Sequence, residues 1–266
     1  MSLYEVSLNP LTKGPRRAFL RELSGREEAL FTAPSSVLAS ELVGRLLVSD
    51  FGGAASDVWA LSVSDRDRLI AELYSSCYGD RIDAVTPCSG CGKGFELGFS
   101  LRELLGARSP AQPAHVAGPD ATGVYSLPGL CRFRLPTAGD EREAAGLPPS
   151  DAARALLERC VVEGSSEGAL EPLEAALEAL APVLQVELPM RCPHCELEQT
   201  VSFDVVRFFA QSLLRERPIL LREVHCLAGA YHWSRAEILA LPRSERRAYV
   251  ALVLAERRRA PEGYLS

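Results

Sequence analysis

Two pairs of cysteines stand in C-x2-C spacing, Cys88 with Cys91 and Cys192 with Cys195. Such a pair in a tight turn offers two thiolates to one side, half of a tetrahedral shell with sulfur about 2.3 Å from the ion. The other half must come from elsewhere, and the second pair is the obvious donor. The expected product is a closed four-cysteine site for one structural zinc ion, with no open position at which water could be activated. Paired surface thiols without a metal, and two separate or incomplete sites, are the competing readings. His194, inside the second pair, could replace a cysteine ligand, although a histidine there more often just occupies the turn. Cys77, Cys131, Cys160 and Cys226 sit among apolar residues at helix or strand spacing and read as packing residues.

The elements around the two pairs repeat. A shift of 104 positions superimposes Cys88, Cys91, Phe99, Ser100, Leu101, Leu104 and Leu105 on Cys192, Cys195, Phe203, Asp204, Val205, Phe208 and Phe209 without a gap. Each copy reads as a cysteine knuckle, a strand, a Ser or Asp helix cap and an amphipathic helix, which marks a duplicated unit. In the first copy, Ile82 to Leu105 reads as strand, turn, strand and short helix, with Phe95, Leu97 and Phe99 alternating.

The expected class is α+β: two zinc-knuckle β-hairpins at the centre, helices around them and a helical C-terminal segment. Residues 1–80 read as a helical unit. Ser24 and Glu27 form a capping box, and Leu38, Leu42, Val43, Leu46 and Leu47 recur at helical spacing, as do Leu69, Ile70, Leu73 and Tyr74 after a cap at Ser64. Residues 81–105 are the first knuckle unit. Residues 106–122, rich in Pro, Ala and Gly, read as a mobile, exposed linker. Residues 123–190 predict a hairpin about Pro128-Gly129, with Cys131, Phe133 and Leu135 on one face, then helices at about 151–161 and 172–181. Residues 191–218 are the second knuckle unit, and 219–266 is a helical segment in which Leu220 to Ser266 predicts three consecutive helices. Trp233-Ser234 to Glu237-Ile238 combines a capping box with a hydrophobic staple; Pro242 stops the middle helix and Ser244 caps the last, which carries an apolar stripe of Tyr249, Val250, Val253 and Leu254.

At 266 residues, 47% apolar and 24% charged, the chain has the composition of a globular protein with a sizeable core. No run approaches the roughly 20 apolar residues that span a bilayer, and Met1 to Pro10 lacks a signal-peptide layout, so the expected location is the cytoplasm. That compartment keeps thiols reduced, which favours metal over disulfide for the paired cysteines. A net charge of −6 argues against coating nucleic acid. Enzymatic readings fail on their missing parts: Pro87-Cys88-Ser89-Gly90-Cys91 fits half of a zinc deaminase motif, but no H-x-E precedes it, the first histidine being His115. A dithiol oxidoreductase wants its C-x-x-C opening a helix, whereas both pairs here precede strands. His225 and His232, seven residues apart, sit where a helix ends.

Four stretches carry a resemblance. Leu20-Arg21-Glu22-Leu23-Ser24-Gly25-Arg26-Glu27-Glu28, Asp65-Arg66-Asp67-Arg68 with Tyr78-Gly79-Asp80, Leu135-Pro136-Thr137 with Asp140, and Glu223-Val224-His225 through Tyr231-His232-Trp233-Ser234 occur in the order of the T-even-phage-type baseplate hub assembly chaperones, and the chain resembles that family. The ending from Glu237 to Arg247 is similar to baseplate-associated segments of contractile injection systems. The resemblance implies a non-enzymatic protein that helps build, or joins, the baseplate of a contractile tail, with hub, baseplate or tail-tube partners and no small-molecule substrate. The surface expected to meet those partners is the Trp233 turn and its neighbours: Tyr231, Trp233, Ile238, Arg246 and Arg247. The two knuckles depart from the phage pattern. A nucleic-acid-binding regulator built on a zinc ribbon is the alternative.

Overall fold

The computed structural model describes residues 3–48, 57–164 and 170–259; residues 260–266 of the expected C-terminal segment lie outside them. The chain opens with an antiparallel hairpin, β1 (Leu3–Ser7) and β2 (Arg17–Arg21), and not with a helix. These strands bury essentially one residue each, Val6 and Leu20, too few for an alternating pattern to be visible in the sequence. Helices α1 (Gly25–Glu28), α2 (Ser36–Leu46) and α3 (Val63–Tyr78) follow. The first knuckle unit is β3 (Arg81–Pro87), β4 (Gly94–Ser100) and α4 (Leu101–Ala107). Next come β5 (Val124–Leu127), β6 (Cys131–Arg134), α5 (Ala138–Ala144), α6 (Pro149–Cys160), β7 (Val161–Gly164) and α7 (Leu170–Leu180). The second unit is β8 (Gln185–Arg191), β9 (Glu198–Asp204) and α8 (Val205–Tyr231), and the chain ends with α9 (Arg235–Ala240) and α10 (Arg243–Arg259). Helices packed around small antiparallel sheets make this an α+β fold, as expected.

The capping chemistry mostly follows the sequence. Ser24 and Ser234 close full capping boxes with Glu27 and Glu237. The cap of α3 is Ser62, whose Oγ accepts from the Asp65 N–H at 3.1 Å; Ser64 lies inside the helix, buried, and donates to the Pro182 carbonyl at 3.0 Å. Ser244 likewise does not cap α10: its N–H and Oγ both donate to the Glu22 carboxylate, while Pro242 supplies the first carbonyl of the helix. At Gly25 a Cβ would stand 2.8 Å from Leu239 Cδ2, so only glycine lets α1 meet α9 this closely.

Two large apolar clusters hold most of these elements. The largest joins Leu20 and Leu23 with Leu42, Leu46, Leu69, Ile70 and Leu73, and reaches both knuckle units through Ile82, Leu101, Phe203 and Phe209. A second lies between the β5–β6–β7 sheet and α6 and α7, where Tyr125, Phe133, Cys160, Leu173, Leu177 and Leu180 pack. Fully burying one such leucine contributes about 1.5–3 kcal/mol. β7 is absent from the sequence reading because only one of its four residues is even partly covered.

Residues 106–122 are not a free linker. The Ala111 N–H donates to the Ala179 carbonyl at 2.8 Å, Val116 is buried in the second cluster, and Ala117 pairs with Ser126 through two backbone bonds. Asp120 accepts from the Thr122 and Val124 amides and from Arg132. Asx turns and a single bridge carry no periodicity, so composition alone misread this stretch.

The C-terminal segment differs too. The helix after the second knuckle and the helix expected from Leu220 are one, α8, running through Pro218. A helical proline costs about 3 kcal/mol; buried Leu213, Leu220, Glu223 and Leu227 on both sides of it offset that cost. His232 ends α8 in the left-handed conformation, φ 57°.

Candidate metal centre

The repeat seen in the sequence is a repeat in space. β3 and β8 start and end 104 residues apart, as do β4 and β9, and the cap Ser100 is matched by Asp204. The turns agree bond by bond. The Cys88 N–H donates to the Lys93 carbonyl and the Gly92 N–H to the Cys88 carbonyl; the Cys192 N–H donates to Leu197 and the Glu196 N–H to Cys192, all at 2.9–3.0 Å. Gly92 (φ 70°) and Glu196 (φ 61°) both take the left-handed conformation that closes the knuckle. In each turn an amide, of Gly90 or His194, points at the first cysteine sulfur at 3.4 Å.

The two hairpins meet across a pseudo-twofold axis. Phe99 and Phe203, equivalent in the repeat, make a T-shaped contact at 4.9 Å. The sulfurs do the same: Cys88 Sγ lies 3.5 Å from Cys195 Sγ, and Cys91 Sγ lies 3.8 Å from Cys192 Sγ, a pairing that the 104-residue shift maps onto itself. All four sulfurs lie within 4.8 Å of one another. A tetrahedral ion with 2.3 Å bonds to sulfur requires edges of about 3.8 Å, so closing the quartet on one ion brings the widest pair together by about 1 Å, roughly half an ångström per sulfur. The four thiols are free, not disulfide-bonded. Cys88 and Cys192 are buried beside Phe95, while Cys91 and Cys195 face solvent.

Electrostatics favour a cation here. The Cys91 amide, helped by that of Gly90, pulls the Cys88 thiol down to about 6. The Leu197 amide lowers Cys195, but the neighbouring Cys88 thiol, burial and the thiols of Cys91 and Cys192 outweigh it and push this group up to about 12. Cys88, once ionised, thus opposes the ionisation of Cys195 3.5 Å away, and a divalent cation removes that conflict. His194 contributes its amide, and the four-sulfur set is complete without its ring.

The residues expected to meet a partner divide. Ile238 is fully buried in a third apolar cluster with Leu227 and Val253. Arg246 is 0% exposed: its Nε donates to Glu223 at 2.6 Å and its Nη2 to Glu28 at 2.7 Å. Neither can touch a partner. Tyr231 and Trp233 stack at 4.8 Å and pack on Tyr249, half-buried, and Arg247 pairs with Glu216 and Glu223. Trp233 packs against the cluster that contains Ile238, the residue the staple is expected to meet.

A buried polar framework was not foreseen. Arg243 bridges Glu28 and Glu216, and Tyr78 donates to Glu216 at 3.0 Å. Arg66 pairs with Asp67 and Glu141, and Asp67 also accepts the Leu184 N–H. Burial alone would raise the Asp140 carboxyl, but two bonds from Arg134 at 2.6 and 2.7 Å, with Thr137, hold it far below the usual range. A signal for the framework was present, since Glu28, the Asp65–Arg68 run, Asp140 and Glu223 all fall in the stretches that carry the family resemblance. Set beside models of known families, curated proteins and solved structures, the chain matches none of them.

Proposed function

We propose that the chain is a non-enzymatic, zinc-stapled protein that assembles or becomes part of the baseplate of a contractile tail, either of a phage or of a tail-like injection system. The observation that carries the first half is the quartet Cys88, Cys91, Cys192 and Cys195, whose four sulfurs lie within 4.8 Å of one another. Four thiolates fill a tetrahedral shell, so the ion would staple and not catalyse. Soft sulfur donors in that geometry favour zinc over magnesium or calcium.

The baseplate half rests on the resemblance. Its stretches supply the inward-facing struts: Ser24 with Glu27, Arg66 with Asp67, Thr137 with Asp140, and Glu223 with Arg246. The alternative, a DNA-reading regulator, loses the basic helix it needs, because Arg243 and Arg246 are buried against carboxylates.

The test is mass spectrometry of proteins that co-purify with a tagged copy expressed from its native locus, before and after assembled particles are separated, with metal analysis of the same sample. Hub, wedge or tail-tube proteins and one zinc per chain are expected. DNA or transcription machinery in their place would overturn the baseplate role, and a folded metal-free protein would overturn the staple.

A further inference from the structure

The pseudo-twofold symmetry of the knuckles is broken at the contact that Gln199 makes. Gln199, on β9, reaches across to the first knuckle: its Oε1 accepts from the Ser89 N–H at 2.9 Å and from the Ser89 hydroxyl at 3.2 Å, and its Nε2 donates to the Pro87 carbonyl at 3.4 Å. These bonds bracket Cys88 on both sides along the chain. The repeat places Pro193 at the position of Ser89 and Phe95 at the position of Gln199. The mirror bond cannot form, since proline has no N–H to give and phenylalanine nothing to accept it. Phe95 instead is buried in a small apolar cluster with Cys88 and Cys192. Both ends of the contact have thus diverged together: a polar latch on one side of the axis, an apolar wedge on the other.

We infer that Gln199 is a positioning residue for the metal centre, holding the Cys88–Cys91 knuckle over the Cys192–Cys195 knuckle so that four thiols face one another before an ion arrives. The inference rests on the proposal that this quartet binds zinc. Without the latch, the contacts that remain between the two turns are apolar, Leu197 close to Gly90 and Phe95 with Cys88 and Cys192, and these fix the orientation of the first knuckle less tightly than directional hydrogen bonds do. Groups that orient metal ligands from the outer shell change metal affinity about 10–100-fold when removed.

The test compares the full-length wild type with Gln199→Leu, which keeps the bulk and loses both kinds of hydrogen bond, and with Ser89→Pro, which removes the donors and installs the residue the second knuckle already accommodates at 193. Zinc transfer to a chromophoric chelator gives relative affinity and release rate; cobalt substitution reports the four-sulfur geometry through its thiolate charge-transfer and ligand-field bands; helical circular dichroism of the zinc-loaded protein reports the rest of the fold. Expected are a tetrathiolate cobalt spectrum for the wild type, at least 10-fold weaker zinc retention in either variant with helical melting unchanged, and no further loss in the double variant, since the two residues share one contact. Equal zinc retention in wild type and both variants overturns the positioning role while leaving the zinc site intact. A wild type that binds neither zinc nor cobalt through sulfur overturns the site itself, and the inference with it.

Discussion

Replacing Arg246 by methionine tests the claim that this residue is a strut and not a contact surface. Its guanidinium makes two charge-assisted bonds, to Glu223 at 2.6 Å and to Glu28 at 2.7 Å, with no exposed surface. Bonds of that kind contribute about 1.5–3 kcal/mol each. Methionine fills much of the volume but leaves both carboxylates short of a cation. Arg243, 3.2 Å from Glu28, and Arg247, 3.4 Å from Glu223, compensate in part. The expected loss is therefore that of breaking a buried ion pair, about 3–5 kcal/mol. With about 2.1 cal/mol/K of unfolding entropy per residue, a 266-residue chain converts that to a fall in melting temperature of about 5–9 °C. Urea titration and scanning calorimetry read it directly. Arg257→Ala, exposed at the end of α10, is the control and should stay within about 0.5 kcal/mol. A loss under about 1 kcal/mol for Arg246→Met, or weakened partner capture at unchanged stability, would refute the strut reasoning.

Cys192→Ser should drop zinc content from one per chain to near zero by elemental analysis of purified protein; retention of a full equivalent would mean that another residue completes the shell. Asp140, whose carboxyl is held down in the fold, adds stability that is fully present above its unfolded pKa of about 3.9 and is lost as pH falls through the folded value. Asp140→Asn should therefore destabilise at neutral pH and flatten the acid limb of the stability curve below about pH 4, measured by denaturant midpoints across pH. Asp120→Ala, which releases the turn at 120–124, should make residues 106–123 the first site of limited proteolysis, where the wild type resists; an unchanged cleavage map would mean that the other ties suffice.

What the sequence made legible depended on how local the cause was. The cysteine quartet and the 104-residue repeat were readable because ligand spacing and caps are written within a few residues. Capping boxes at Ser24 and Ser234 were readable for the same reason. Arg246 was misplaced because its partners, Glu28 and Glu223, are 218 and 23 residues away, and a helix-end arginine looks solvent-facing until the packing is known. The boundary expected between residues 218 and 219 falls inside α8, which buried apolar residues on both sides of Pro218 keep continuous. Gln199 sat in plain view of the repeat: comparing 89 with 193 and 95 with 199 exposes the divergence, but not that the two changes touch.

The staple has a consequence in polymer terms. Cys91 and Cys192 are 101 residues apart, so an ion joining them turns the middle of the chain into a closed ring that includes the whole β5–α7 unit. Confining an unfolded ring of about 100 residues removes chain entropy equivalent to about 4.7 kcal/mol in the loop-closure treatment of crosslinks. An ion that stayed bound to the four thiols would therefore act on the unfolded chain as well as on the folded one. It would also set an order of events, because the ring cannot close on a growing chain until Cys195 has been made, after every residue of the enclosed unit.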